Sequence, residues 1–116
     1  MIMDSLLEFA DGADISQAAG TYLSTNVVDL QSARDIGNGQ PLYLVIQIDA
    51  AVTSGGSATV QFRLRSDSVA AVHATTSTGH TDSGAIAVAS LVVGYQIIMP
   101  LPPEGSVLYE RYLGVQ

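Results

Sequence analysis

The sequence predicts an all-β domain, an antiparallel β-sandwich or jelly roll built as a single unit over residues 1–116. Three observations carry that prediction. Two long segments alternate apolar and polar residues with the period of a strand. About seven short apolar runs are separated by turn residues at the spacing of a sandwich. The helical signal is confined to one short stretch near the start. A length of 116 residues fits one domain, and a hydrophobic share of 47% supplies a core without disulfide or metal staples.

Taken in order, Asp4 is placed to cap a short helical turn over Ser5–Ala10, which Asp11-Gly12 ends. Thr25–Leu30 reads as a strand ending at Asp29. Leu42–Asp49 is the clearest strand: Leu42, Leu44, Ile46 and Ile48 share one face, while Tyr43, Val45, Gln47 and Asp49 share the other. Ala58–Arg65 is the second, with Ala58, Val60, Phe62 and Leu64 inward and Thr59, Gln61, Arg63 and Arg65 outward. Thr53-Ser54-Gly55-Gly56-Ser57 lies between them, so 42–65 is expected to form a hairpin. Val69–Thr75 is a weaker strand candidate inside Ser66–Thr81, a stretch rich in Ala, Ser and Thr that reads as a loose loop or an edge strand. Gly84–Ala89 and Tyr95–Met99 flank Gly94. Pro100, Pro102 and Pro103 then exclude a central strand and stiffen a surface segment. Val107–Gln116 is the last strand candidate.

The charge balance excludes several functions. The only cations beside the histidines are Arg34, Arg63, Arg65 and Arg111; there is no lysine, and eleven carboxylates bring the net charge to −7. Nucleic acid and anionic membrane surfaces both require clustered cations, so neither is an expected partner. Only 13% of residues are charged, about half the ordinary share of roughly 25%. Much of the surface is therefore Ser, Thr, Gln, Asn and small apolar residues, which lose less hydration on burial against a partner; arginine is also the cation preferred within interfaces. Cysteine is absent, so no disulfide framework or thiolate metal site exists. No run reaches the length of a membrane span, and the start lacks the pattern of a secretory signal.

The residue patterns contain no catalytic, cofactor-binding or metal site. His73 and His80 fit no metal-ligand spacing and are read as solvated loop histidines. No serine sits in a Gly-x-Ser-x-Gly elbow, and no pair of carboxylates is placed for acid–base work. Asp11-Gly12-Ala13-Asp14 falls short of the six to eight oxygens that calcium takes (~6–8) and reads as a turn. Arg34-Asp35-Ile36-Gly37-Asn38-Gly39 leads into a strand, not a helix, so it is an ordered connection and not a phosphate cradle. In Glu110-Arg111-Tyr112-Leu113, Arg111 is expected to lie over a partly buried face and pair with a carboxylate. With two phenylalanines, five tyrosines and no tryptophan, the chain lacks the aromatic platform of many glycan or single-strand binders.

The order of short segments carries a resemblance. Asp4-Ser5-Leu6 with Phe9, Ser24–Leu30, Arg34–Gly39, Pro41-Leu42-Tyr43-Leu44, Ser83-Gly84-Ala85-Ile86, Pro100-Leu101-Pro102 and Glu110-Arg111-Tyr112-Leu113 run along nearly the whole chain. Together they resemble the capsid cement (decoration) proteins of tailed bacteriophages, including that of a Bordetella phage. The resemblance implies a jelly-roll-like, non-catalytic protein without cofactor. It would sit on the outer surface of the virion capsid after synthesis in the host cytoplasm. Its partners would be the phage major capsid protein and further copies of itself, as a homodimer or homotrimer. The implied contact positions are Asp4, Leu6, Phe9, Arg34, Asp35, Asn38, Pro102, Pro103, Arg111 and Tyr112.

Two other functions are compatible with the predicted fold, since fold does not fix function. One is a carbohydrate- or receptor-binding module of a phage fibre or virion surface. The other, a cupin-type enzyme, needs clustered histidine and carboxylate ligands that the sequence lacks. Similar cement proteins continue past the tyrosine-leucine motif into a further hairpin, whereas this sequence stops at Gly114-Val115-Gln116. The expectation is an unpaired edge at the last strand, completed by more chain or by a neighbouring subunit.

Overall fold

The computed structural model describes residues 5–15, 17–34, 36, 41–102 and 108–116. Every strand pair in it is antiparallel. The strands are β1 (Val28–Asp29), β2 (Tyr43–Gln47), β3 (Thr59–Val60), β4 (Arg63–Asp67), β5 (Thr78–Asp82), β6 (Ile86–Ala87), β7 (Gln96–Pro100) and β8 (Tyr112–Val115). They form a four-stranded sheet in the order β1-β8-β4-β5, a two-stranded ribbon of β2 and β7, and a short pair of β3 and β6. Helical structure among the described residues is limited to two 3-10 turns, Ser5–Leu7 and Val88–Ser90.

The core joins the sheets. Val28, Leu64 and Leu113 from the four-stranded sheet meet Leu44 and Met99 from the ribbon, and Tyr109 fills the space between them. Leu64 and Tyr109 are each 1% exposed. Phe9, Ile36 and Phe62 pack against this cluster. Two sheets with inward apolar faces around a shared core make the sandwich that the alternation predicts.

The long-range pairing differs from the expected 42–65 hairpin. β2 pairs with β7, from Tyr43 opposite Pro100 to Gln47 opposite Gln96. The predicted 58–65 strand divides at Gln61-Phe62 into β3 and β4, which belong to different sheets. The physical reason lies in what each partner buries. Opposite Leu44 and Ile46, β7 offers Met99 and Ile97, which complete an apolar inner face. A longer connection adds little to the entropy of closure, so side-chain burial decides the partner. The alternation itself is retained: Leu44 and Ile48 are buried, while Tyr43, Gln47 and Asp49 are exposed.

Other boundaries also shift. Residues 68–77 are a loop, not a strand over 69–75, because Asp67 captures its backbone. Oδ1 of Asp67 accepts from Ser68 N–H at 2.7 Å, and Oδ2 accepts from His73 N–H at 3.1 Å. Such side-chain bonds compete with a ladder. The edge-strand alternative for this stretch is met further on, at β5. Pro100 belongs to β7, at a position without a ladder bond to β2. Leu101 N–H donates to Leu42 O at 2.8 Å and Ile48 N–H to Tyr95 O at 2.9 Å, so the antiparallel alternation leaves Tyr43–Pro100 a non-hydrogen-bonded pair.

The expected unpaired edge at the last strand is not found. β8 lies between β1 and β4 and pairs with both. Gly114 allows this crowded position, because a Cβ there would stand 2.6 Å from Leu23 Cδ1 and 3.2 Å from Val72 Cγ2. The last residue of the sequence extends the ladder: Gln116 N–H donates to Arg63 O at 2.9 Å, and Arg63 N–H to Gln116 O at 2.7 Å.

Candidate interaction surface

The ribbon presents an apolar outer face. Opposite residues of an antiparallel pair share a face, so Tyr43 with Pro100, Val45 with Ile98 and Gln47 with Gln96 form one surface. Tyr43 is 57% exposed and Ile98 is 59% exposed, sizes of open apolar surface that solvent alone does not favour. Val92 and Val93, in the turn that leads into β7, are exposed as well. None of the six paired residues carries a charge. Gln96 Nε2 donates to Gln47 Oε1 at 3.0 Å, which fixes the polar end of the stripe.

The same ribbon has an open edge. By the alternation that frees Pro100, the N–H and C=O groups of Tyr43, Val45 and Gln47 point away from β7. Among the described residues no strand pairs with that side of β2. Natural proteins commonly blunt such an edge with lysine, proline or a charge; β2 contains none of these.

The positions implied as contacts divide into several groups. Arg111 and Tyr112 come together with Asp29. Arg111 Nε and Nη2 donate to Asp29 Oδ1 and Oδ2 at 2.9 and 3.0 Å, and its guanidinium carbon stands 4.9 Å from the Tyr112 ring centroid. The bidentate guanidinium, followed by the Gln31 N–H at 2.7 Å, holds the Asp29 carboxyl down at about 2. Arg34 joins the same end of the sheet: its Nε donates to Leu30 O at 2.9 Å, and Leu30 N–H donates to Arg111 O at 2.8 Å. Phe9 packs on the core, and its carbonyl accepts from Asn26 N–H at 2.8 Å, so its main contacts are internal. Leu6 is exposed on the first 3-10 turn. Pro102 is exposed, and its carbonyl accepts from the Tyr109 hydroxyl. Asp4, Asp35, Asn38 and Pro103 lie outside the described residues.

A buried polar group escapes sequence reasoning altogether. His80 lies on β5, half-buried, stacked on Tyr109 with ring centroids 4.0 Å apart; the expected solvated-loop setting holds only for His73. Ser66 Oγ lies 2.7 Å from His80 Nε2 and accepts from Glu110 N–H at 3.1 Å. Ser66 is fully buried, which keeps its hydroxyl from acting on an external substrate. Burial lowers the pKa of His80, opposed by the Glu110 charge and reinforced by Arg65. Among the described residues no group of three or more His, Cys, Asp or Glu side chains is arranged to hold a metal ion. No helix among them is long and apolar enough to cross a membrane.

A family model described as Bbp16 matches residues 9–116. The chain belongs to the Bbp16 family. Its membership is consistent with a phage protein. The Bbp16 match takes in the whole ribbon, the Asp29–Arg111 pair and the Ser66–His80 group, and leaves out Asp4 and Leu6. No curated protein matches the chain.

Proposed function

We propose that this Bbp16 protein is a capsid cement (decoration) protein. It binds the outside of an icosahedral phage head and stabilises it by clamping adjacent major capsid proteins. The observation that carries the reading is the ribbon: an uncharged, apolar outer face with an unblunted strand edge on a chain of net charge −7. Such a surface is suited to burial against protein, and the acidic remainder disfavours packaged nucleic acid. The family match and the resemblance along the chain support the phage setting.

The function is thermodynamic and includes no catalytic step or cofactor. A protein that binds the assembled shell and not its separated subunits stabilises the shell by mass action. Symmetric repetition adds many small contacts and slows loss of any one copy. The open edge of β2 suits self-association. Val45 paired with Val45 of a second copy, and Tyr43 with Gln47 of that copy, would exchange ladder bonds about a two-fold axis without opposing like charges.

The test is binding of purified protein to expanded shells of its phage, followed by heating of decorated and bare shells. Saturable binding together with a raised disruption temperature supports the reading. Failure to bind, or equal heat resistance of bare shells, overturns it.

A further inference from the structure

We propose that a recess on the outer face of β4 and β5 receives a carboxylate side chain from a protein partner. The recess is about 450 Å³ and is lined by Arg63, Arg65, Gly79, His80, Thr81 and Asp82. It thus contains two of the four cations of a chain that is strongly acidic overall.

A register shift shapes the recess. Leu64 faces Thr81 and Arg65 faces Gly79, so His80 is the extra residue of a bulge. Bulges re-aim side chains; here the imidazole turns inward to Ser66. Arg65 is then opposed by a glycine, and a Cβ at Gly79 would meet nothing within 4 Å. The gap over Arg65 exists because the facing residue has no side chain.

The cations within it are unequally satisfied. Arg63 stands 3.4 Å from Asp82 Oδ2 and donates to Gln61 Oε1 at 2.8 Å. Arg65 donates Nη2–H to Ser77 O at 2.5 Å, a neutral acceptor, while its buried Nε–H has no partner among the described residues. Asp82 compensates Arg63, and among the described residues Arg65 is left as a guanidinium paired only with a carbonyl. Glu110 is not among the lining residues; its carboxylate accepts from Thr78 Oγ1 at 2.8 Å, and its charge acts on His80. One uncompensated cation matches one monoanion, and a guanidinium favours the planar carboxylate. A phosphate dianion would meet the Asp82 carboxylate with excess negative charge.

That the partner is the capsid shell rests on the function proposed above; the recess itself is tested without it. The probe is N-acetyl-glutamate, titrated into the full chain and followed by NMR at Arg65 Nε and the Gly79 amide. N-acetyl-glutamine and inorganic phosphate serve as comparison arms. Gly79→Val fills the recess from a position with room for a side chain, and Arg34→Gln removes a cation elsewhere. Saturable shifts with the carboxylate alone, lost in Gly79→Val and kept in Arg34→Gln, support the site. No shift, an equal response to the amide, a stronger response to phosphate, or retention in a folded Gly79→Val protein overturns it. Should shells fail to bind the wild-type protein, the capsid reading fails and the titration still decides the recess.

Discussion

The ring of Tyr109 lies flat on the imidazole of His80, with centroids 4.0 Å apart and planes 14° from parallel. The contact joins the approach to β8 to the bulged edge strand β5, and Ser66 on β4 completes it through His80 Nε2. Ser66 Oγ accepts from Glu110 N–H and keeps one proton to donate, which a neutral ring protonated at Nδ1 receives at Nε2. Protonation turns Nε2 into a donor and leaves the fully buried hydroxyl without an acceptor. The folded pKa of His80 lies below its ordinary 6.5. The unfolded chain therefore binds the proton first, and the stabilisation present above 6.5 is lost as pH falls from there toward the folded value. Thermal unfolding between pH 8 and pH 5 (roughly the range in which histidine titrates) should show a falling Tm, with a shallower slope in His80→Phe. Equal slopes in the two proteins would remove His80 as the cause.

Asp29 and Arg111 give a pH signature of the same sign in a more acidic range. The Asp29 carboxyl is depressed from 3.8 to about 2, chiefly by the Arg111 guanidinium. Its contribution is complete above 3.8 and disappears as pH falls through about 2. An NMR titration of the Asp29 carboxyl should give a midpoint near 2 in the wild-type protein and a clear upward move in Arg111→Gln. A midpoint unaffected by that substitution would show that the pair does not set it.

Burial predicts a sharp contrast between the two sheets. Leu64 is 1% exposed in the shared core, so Leu64→Ala should cost about 2–5 kcal/mol of stability. Ile98 is 59% exposed on the outer face of the ribbon, and Ile98→Ser should stay within about 0.5 kcal/mol. Urea denaturation of both variants measures this. A large loss in Ile98→Ser would mean that the ribbon face is covered within the chain itself.

How far these relationships are legible in the sequence depends on what each residue needs. The inward phase of Leu44, Ile48 and Leu64 is a local property, and alternation alone reveals it. The partner of β2 is not local: Gln47 and Gln96 meet across 49 residues, and nothing in Leu42–Asp49 specifies that distance. Arg111 is readable as a residue in need of a carboxylate, yet Asp29 is 82 positions away. The loop setting expected for His80 fails because a bulge, invisible to a period-2 pattern, turns it from the solvent side toward Ser66. The contact positions are legible only through the resemblance, since exposure such as that of Tyr43 and Ile98 follows from which strands pair.

Gly114 tests the packing of the outer face of the four-stranded sheet. Its missing Cβ makes room for Leu23 and Val72, so Gly114→Ala forces the Leu23 side chain aside. Overpacking of this kind costs about 1–3 kcal/mol, and Leu23 is partly exposed and able to yield. The expected loss lies toward the lower end of that range, and Leu23→Ala combined with Gly114→Ala should recover part of it. A double variant whose loss is simply the sum of the two single losses would show that the glycine serves another purpose.

The open edge of β2 supplies the last prediction. Tyr43, Val45 and Gln47 direct backbone donors and acceptors away from β7, and no charge guards them. If a second copy completes this edge, lysines at Val45 of the two copies would stand opposite one another at the two-fold axis. Val45 is partly buried on the outer face of the ribbon, so Val45→Lys keeps its aliphatic stem on that face and places its charge in water. The variant should remain folded, with near-wild-type thermal unfolding, and should sediment as a monomer at concentrations at which the wild-type protein self-associates. Pro100 offers an internal comparison, because it lies on the other strand of the ribbon and has no N–H to contribute; Pro100→Ala should leave association intact. Wild-type protein that sediments as a monomer throughout, or Val45→Lys protein that associates as strongly as wild type, would exclude β2 as the self-association edge.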